Sequence, residues 1–288
     1  MRFKVYDDIN RFYQDTYDIL MRHESQNMIM LGNLIMGREG LDKTGWRDPK
    51  NWLMATVSDD GGIKFIALMT PPHNITLCAT DNVIDEKALD CLIDGLKDYD
   101  IPGVVTEKKL AEVFAKAYTK KKGLTYKLGM NQRIYELTKV NPEIKKFGVL
   151  RLVEEKDMSF FPYWLEAFNA SRTYGSAQMP VPLDEKEYHY RIAQKKIYIL
   201  EVDGQPVSMA GYARKMTNSV AIAFVYTPPY YRGRGYASSC VAQLSQMALD
   251  NGYSKCALYT DLANPTSNSI YQKIGYKPVC DSLMLNFE

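Results

Sequence analysis

From residue 8 to residue 36 the apolar positions Phe12, Tyr13, Tyr17, Leu20 and Met21, then Met28, Leu31, Leu34 and Ile35, recur at helical spacing and predict helix. Two strand-like runs, 52–57 and 63–69, flank Asp59-Asp60-Gly61-Gly62, a composition that favours a hairpin turn. A third strand is expected at 75–79, a helix at 86–96, a strand at 103–106 and a helix at 108–120. Lys120-Lys121-Lys122 reads as the solvated end of that last helix, closed by Gly123, and strands are expected near 124–128 and 133–137. The pattern then starts again. A strand at 149–153, helices at 158–170 and 184–194, and a hairpin of 196–202 with 207–215 about Asp203-Gly204 lead to a strand at 219–226. Two similar halves, 1–140 and 147–288, are therefore expected, joined by the polar, proline-containing segment 141–146.

Chemistry concentrates in the second half. The apolar run 219–226 meets Thr227-Pro228-Pro229-Tyr230-Tyr231-Arg232-Gly233-Arg234-Gly235-Tyr236-Ala237, after which Ala237, Cys240, Val241, Leu244 and Ala248 mark one face of a helix. Strand, glycine turn and helix start together make an anion seat, because the first amides of a helix lack internal partners and glycine lets a ligand approach closely. A phosphate-bearing cofactor is the natural occupant. The turn has neither the GxxxxGK[ST] of a nucleoside-triphosphate loop nor the glycine spacing of a dinucleotide fingerprint.

About thirty residues on, a strand at 256–260 precedes a helix marked at both ends: Asn264 suits the N-cap, Pro265 the first helical position and Gly275 the C-terminal cap. Asn268 and Tyr271, three apart, share a face, while Ile270 and Ile274 suit the core, so the polar pair is expected to point away from the packed side. The region 277–286 would supply closing strands.

The glycine turn resembles the acetyl-CoA loop of the GNAT acyltransferases, Gln/Arg-x-x-Gly-x-Gly/Ala, with Arg232, Gly235 and Ala237 in its three defined places. The later segment is similar to that family's Asn-x-x-x-Asn-x-x-Tyr-x-x-x-Gly-Phe/Tyr stretch, here Asn264, Asn268, Tyr271, Gly275 and Tyr276. The resemblance implies an α/β (α+β) fold whose mixed, mostly antiparallel sheet is flanked by helices, in two tandem modules. The first, in which His73-Asn74-Ile75-Thr76-Leu77 follows Pro72 without a glycine, would lack a cofactor loop. It implies an enzyme that moves an acetyl group from acetyl-CoA to an amine by direct attack, through a tetrahedral intermediate. Cofactor contacts would come from Val225, Tyr226, Thr227, Arg232, Gly233, Arg234, Gly235, Tyr236, Ala237, Asn264, Asn268 and Tyr271. Tyr271 would protonate the departing thiolate and the amides of Val225 and Tyr226 would meet the oxyanion. Glu201 or Asp261 would serve as a base through water, and Tyr174 and Gln178 would touch the acceptor. Two other readings stay open: an aminoacyl or longer-chain acyl transferase, and a silent acyl-CoA sensor.

Composition narrows the partners. The 288 residues are 46% hydrophobic and 24% charged, enough for a large core, and a net charge of +2 gives no reason to expect nucleic acid. Five cysteines never spaced as CxxC and three scattered histidines make a metal site an unneeded assumption, and a reduced, cytoplasmic setting is expected, with no membrane segment. The expected partner is a small-molecule or peptide amine, and the expected state a monomer or homodimer.

Overall fold

The computed structural model of the chain describes residues 1–40, 47–171 and 184–288. It is a mixed α/β protein whose sheet is mostly antiparallel and flanked by helices. Two compact units divide it: residues 1–132 with 280–288, and residues 133–279.

In the first unit, β1 (Arg2–Tyr6), β2 (Leu53–Asp59), β3 (Gly62–Met69) and β4 (Ile75–Ala79) pair antiparallel in turn. Then β4 runs parallel to β5 (Gly103–Glu107) through Ile75 and Thr76. Helices α1 (Ile9–Met21) and α2 (Met28–Glu39) replace the single helix expected over 8–36. Asn27 ends the first by donating its side-chain amide to the Leu20 carbonyl at 2.9 Å, satisfying a group that a continuous helix would have used. Helices α3 (Glu86–Leu96) and α4 (Lys108–Lys122) pack Leu89, Leu92, Leu110, Phe114 and Tyr118 onto Val57, Phe65 and Leu77. Gly123 ends α4 in the left-handed conformation, φ 68°, as its sequence position suggests.

Residues 126–137 form one strand, β6 (Tyr126–Leu137), rather than two. Gly129 permits this: a Cβ there would lie 2.9 Å from Asn286 Nδ2 and 3.2 Å from the Met284 carbonyl, so only glycine lets the backbones come so near.

In the second unit, β7 (Val149–Leu152), β8 (Ile197–Val202), β9 (Gln205–Lys215) and β10 (Ser219–Tyr226) pair antiparallel in sequence order. Between β7 and β8 lie α5 (Phe161–Ser171) and α6 (Glu185–Ala193), the latter capped by the Asp184 side chain. Then come α7 (Tyr236–Asp250), β11 (Lys255–Asp261), parallel to β10, and α8 (Pro265–Ile274). Cys240, Val241 and Leu244 of α7 and Ile274 of α8 bury against Val220, Ile222 and Leu258. The last strand, β12 (Lys277–Phe287), is single; from Ser282 to Asn286 it pairs antiparallel with β5, in the first unit. The chain thus enters the second unit along β6, ahead of the expected join at 141–146, and returns along β12.

Candidate active site

Pairing between β10 and β11 covers three residues, Ser219, Val220 and Ala221 against Lys255, Cys256 and Ala257, and then stops. On its other edge β10 bulges against β9 between Ala223 and Tyr226, where Phe224 has φ 57°, a left-handed value that a phenylalanine seldom adopts. One strand therefore leaves its parallel neighbour and kinks at the same place. From Ile222 onward β10 is paired on its β9 edge and no longer on its β11 edge.

The end of β10 leads into the glycine turn. Pro229–Tyr231 form one 3-10 turn, and Arg232 donates Nε to the Thr227 carbonyl at 2.9 Å, tying the turn back to the strand end. Thr227 and Tyr226 are themselves held, through the Ser208 hydroxyl at 2.8 Å from Thr227 Oγ1 and 3.1 Å from the Tyr226 carbonyl. Gly233 and Gly235 have φ 75° and 83°, which side-chain-bearing residues rarely reach, and Gly235 is the N-cap of α7 without any side-chain cap. Ser239 donates the first amide bond of the helix, to the Gly235 carbonyl at 3.0 Å. The N–H groups of Gly233, Arg234, Gly235, Tyr236, Ala237 and Ser238 donate to no described residue. Six successive free amides, three ahead of a fifteen-residue helix and three in its first turn, form a partly positive seat fit for a diphosphate. Arg234 lies over the Tyr230 ring at 5.0 Å and Arg232 over the Tyr226 ring at 5.9 Å.

The β11–α8 segment has the caps its sequence suggests: Asn264 Oδ1 accepts from the Ser267 amide at 3.0 Å, and Gly275 is left-handed at φ 115°. For Tyr271 the face of the helix is not as expected. Tyr271 is 8% exposed and packs with Ile274, three residues on, inside the core, its ring 5.8 Å from Tyr276 and 6.5 Å from Tyr135. The core therefore takes Tyr271 as well as Ile274, with Ile270 half-buried against the same cluster as expected. Burial pushes the Tyr271 phenol up to about 12, so it stays protonated at neutral pH, and among the described residues its hydroxyl has no hydrogen-bond partner.

Asn268 does not point freely outward either. Its amide donates to the carbonyls of Asp261 at 2.9 Å and Asn264 at 2.8 Å, and its oxygen accepts from the Tyr135 hydroxyl at 3.1 Å. Both of its N–H donors are thus used, and what remains for a cofactor is the second lone pair of its oxygen.

Both carboxylates considered as bases are also engaged. Glu201 accepts from Arg151 Nε at 2.7 Å, and the same guanidinium grips Asp157 at 2.7 and 2.9 Å. Burial would raise Asp157, but Arg151 and the Glu154 amide outweigh it and hold the carboxyl below its usual range. Asp261 makes a local turn, its Oδ1 accepting from the Ala263 amide at 2.8 Å. Tyr174 and Gln178 lie outside the described residues.

Aromatic side chains of α5 and β10 form a wall packed against the core beside the kink. Trp164 of α5 meets Tyr226 at 6.2 Å, Phe168 meets Phe224 at 5.7 Å, and Arg191 of α6 lies over Phe224 at 5.7 Å. Tyr188 donates to Glu166 beneath them. The kink at Phe224 brings β10 into this wall, and no local composition announces it.

The strand pair that parts at a bulge and the turn of unclaimed amides that follows it belong to one α/β unit. Residues 161–276 match the model of the Acetyltransferase (GNAT) family. No curated protein sequence matches the chain. Among solved structures, a Drosophila protein is similar at TM-score 0.69 and 9% identity, over 99% of this chain and 98% of that one. A GCN5-related N-acetyltransferase from Sphaerobacter thermophilus is similar at TM-score 0.59 and 12% identity, over 99% and 95%. A tandem GNAT protein from the clavulanic acid biosynthesis pathway is similar at 0.57 and 9%, over 100% and 98%. At such identities these likenesses establish a shared fold.

Proposed function

We propose that the second unit transfers an acetyl group from acetyl-CoA to an amine. The observation that carries this reading is the row of free amides from Gly233 to Ser238 behind two left-handed glycines. Bound acetyl-CoA would supply an activated acetyl thioester. The loop amides hold its diphosphate, and Arg232, anchored on the Thr227 carbonyl, adds positive charge beside them. Amides of Val225 and Tyr226, at the kink of β10, are assigned to the oxygen on which charge grows as the amine attacks. Tyr271, whose proton is held by burial, is assigned to the departing sulfur. Glu201 and Asp261 already serve Arg151 and the Ala263 amide, so the attacking amine loses its proton to water rather than to either of them.

The first unit is assigned as a second GNAT-like module without a cofactor loop. It repeats the short parallel pair, β4 with β5, yet the chain after Pro72 has no glycine turn. Calorimetry with CoA, followed by thiol release across a panel of primary amines, tests the main reading. CoA binding together with turnover of at least one amine is expected, and a protein with no CoA affinity overturns it. The engaged carboxylates favour one other reading, a silent acyl-CoA sensor; thiol release with any amine excludes it.

A further inference from the structure

The first unit contains a cavity of about 530 Å³, lined by Lys108, Glu112, Val113 and Lys116 of α4, Tyr126, Leu128 and Asn131 of β6, and Leu283 and Leu285 of β12. Helix α4 turns its other side, Leu110, Phe114 and Tyr118, into the core, so the cavity lies where its cover of the sheet ends. Three apolar walls remain open to water as a result: Val113 at 36%, Tyr126 at 42% and Leu128 at 56% exposure. A volume of this size suits a small organic molecule, and apolar side chains gathered at its mouth gain from being covered.

The polar groups around this cavity narrow the occupant. Lys108, Glu112 and Lys116 stand one helical turn apart and make no ion pair with any described residue. Nearby lysines do find partners: Lys121 with Asp94 at 2.7 Å, and Lys127 with Glu288. Two cations against one carboxylate leave the rim net positive, which favours an anion. Asn131 Oδ1 is buried with no hydrogen-bond partner, and such an acceptor calls for a donor. Apolar walls, a positive rim and one waiting acceptor together describe an amphipathic organic anion that carries an N–H or O–H group.

We propose that this cavity of the first unit binds such an anion. The site takes no part in acyl transfer as assigned above and does not depend on it. Anilinonaphthalene sulfonate, with aromatic rings, a sulfonate and one N–H, is a probe of the right kind, and N-phenyl-1-naphthylamine is its uncharged counterpart. Titration of the full chain, read by fluorescence, should show saturable binding of the sulfonate. Lys116→Glu should weaken it about tenfold while changing affinity for the uncharged probe little, as loss of one rim charge with added repulsion requires. Leu128→Asn, at an exposed strand position that the fold does not need filled, should weaken both probes. Unsaturable binding, or affinity that neither substitution alters, overturns the proposal. So does a dimer, seen by sedimentation, that Leu128→Asn dissolves in a chain without probe affinity; the face would then be a contact between copies.

Discussion

The ring of Phe147 stands 3.3 Å from the place a Cβ on Gly235 would occupy, while the backbone of that glycine is left-handed at φ 83°. Two separate constraints therefore act at one position of the cofactor loop. Gly235→Val should lose CoA binding in calorimetry and should also melt earlier, since a β-branched residue in that conformation costs about 1–2 kcal/mol before any clash with the ring. Gly233, at φ 75° but with open space around it, should show only the smaller, backbone part of that loss when changed to alanine. Equal melting temperatures for Gly235→Val and the parent would contradict this account of the loop.

Tyr271 has a hydroxyl without a described hydrogen-bond partner, so Tyr271→Phe should fold as well as the parent and bind CoA unchanged. Turnover should fall about a hundredfold, the usual scale for a lost proton donor. Because burial holds the phenol up to about 12, the rate should rise with pH as the amine loses its proton and should show no decline from Tyr271 below about pH 10. Steady-state kinetics of both proteins across that range checks the point; undiminished kcat in the phenylalanine variant rules the role out.

Alkali should weaken the second unit. Burial raises the Cys240 and Cys256 thiols from 9.0 to about 12 and the Tyr271 phenol from 10.0 to about 12. Each folded-state value lies above the unfolded one. Stability is therefore fully present below pH 9 and is lost as pH climbs toward 12, where the unfolded chain has already released these protons. Melting temperature under reducing conditions should drop steadily above pH 9; a flat curve to pH 11 would refute the burial of these groups.

Asp157 is nearly enclosed, with a side chain 3% exposed, and Arg151 bridges it to Glu201 ahead of α5. Asp157→Asn should cost about 2–3 kcal/mol, because it leaves a half-buried guanidinium with one partner fewer. With the carboxyl held below its ordinary range, its contribution is present at neutral pH and disappears as pH falls through that lowered value. Urea unfolding of parent and variant at pH 7 and again at pH 3 would show the gap narrow.

What local chemistry controls was legible in the sequence. Asn264 and Gly275 cap α8, Gly123 closes α4, and Asp59 to Gly62 turn the hairpin, because each acts on backbone within a few residues. The glycine turn belongs to the same class. Long-range partners were not legible. Gly129 reads as a strand breaker until Met284 and Asn286 are seen beside it, and Asn27 looks like one more helical residue until its amide meets the Leu20 carbonyl. Glu201 reads as a spare carboxylate until Arg151, fifty positions away, is found holding it. Ile270 and Ile274 of α8 pack on the core as expected, but Tyr271 was misplaced for a related reason, since Tyr135 and Tyr276 supply the aromatic surroundings that draw it in.

The return of residues 280–288 to the first unit affects the order in which the protein can be made. β5 has its antiparallel neighbour only when Ser282 to Asn286 arrive, after the second unit has been synthesised. The first unit therefore keeps that edge bare while its neighbour is being made, although most of its own residues come earlier.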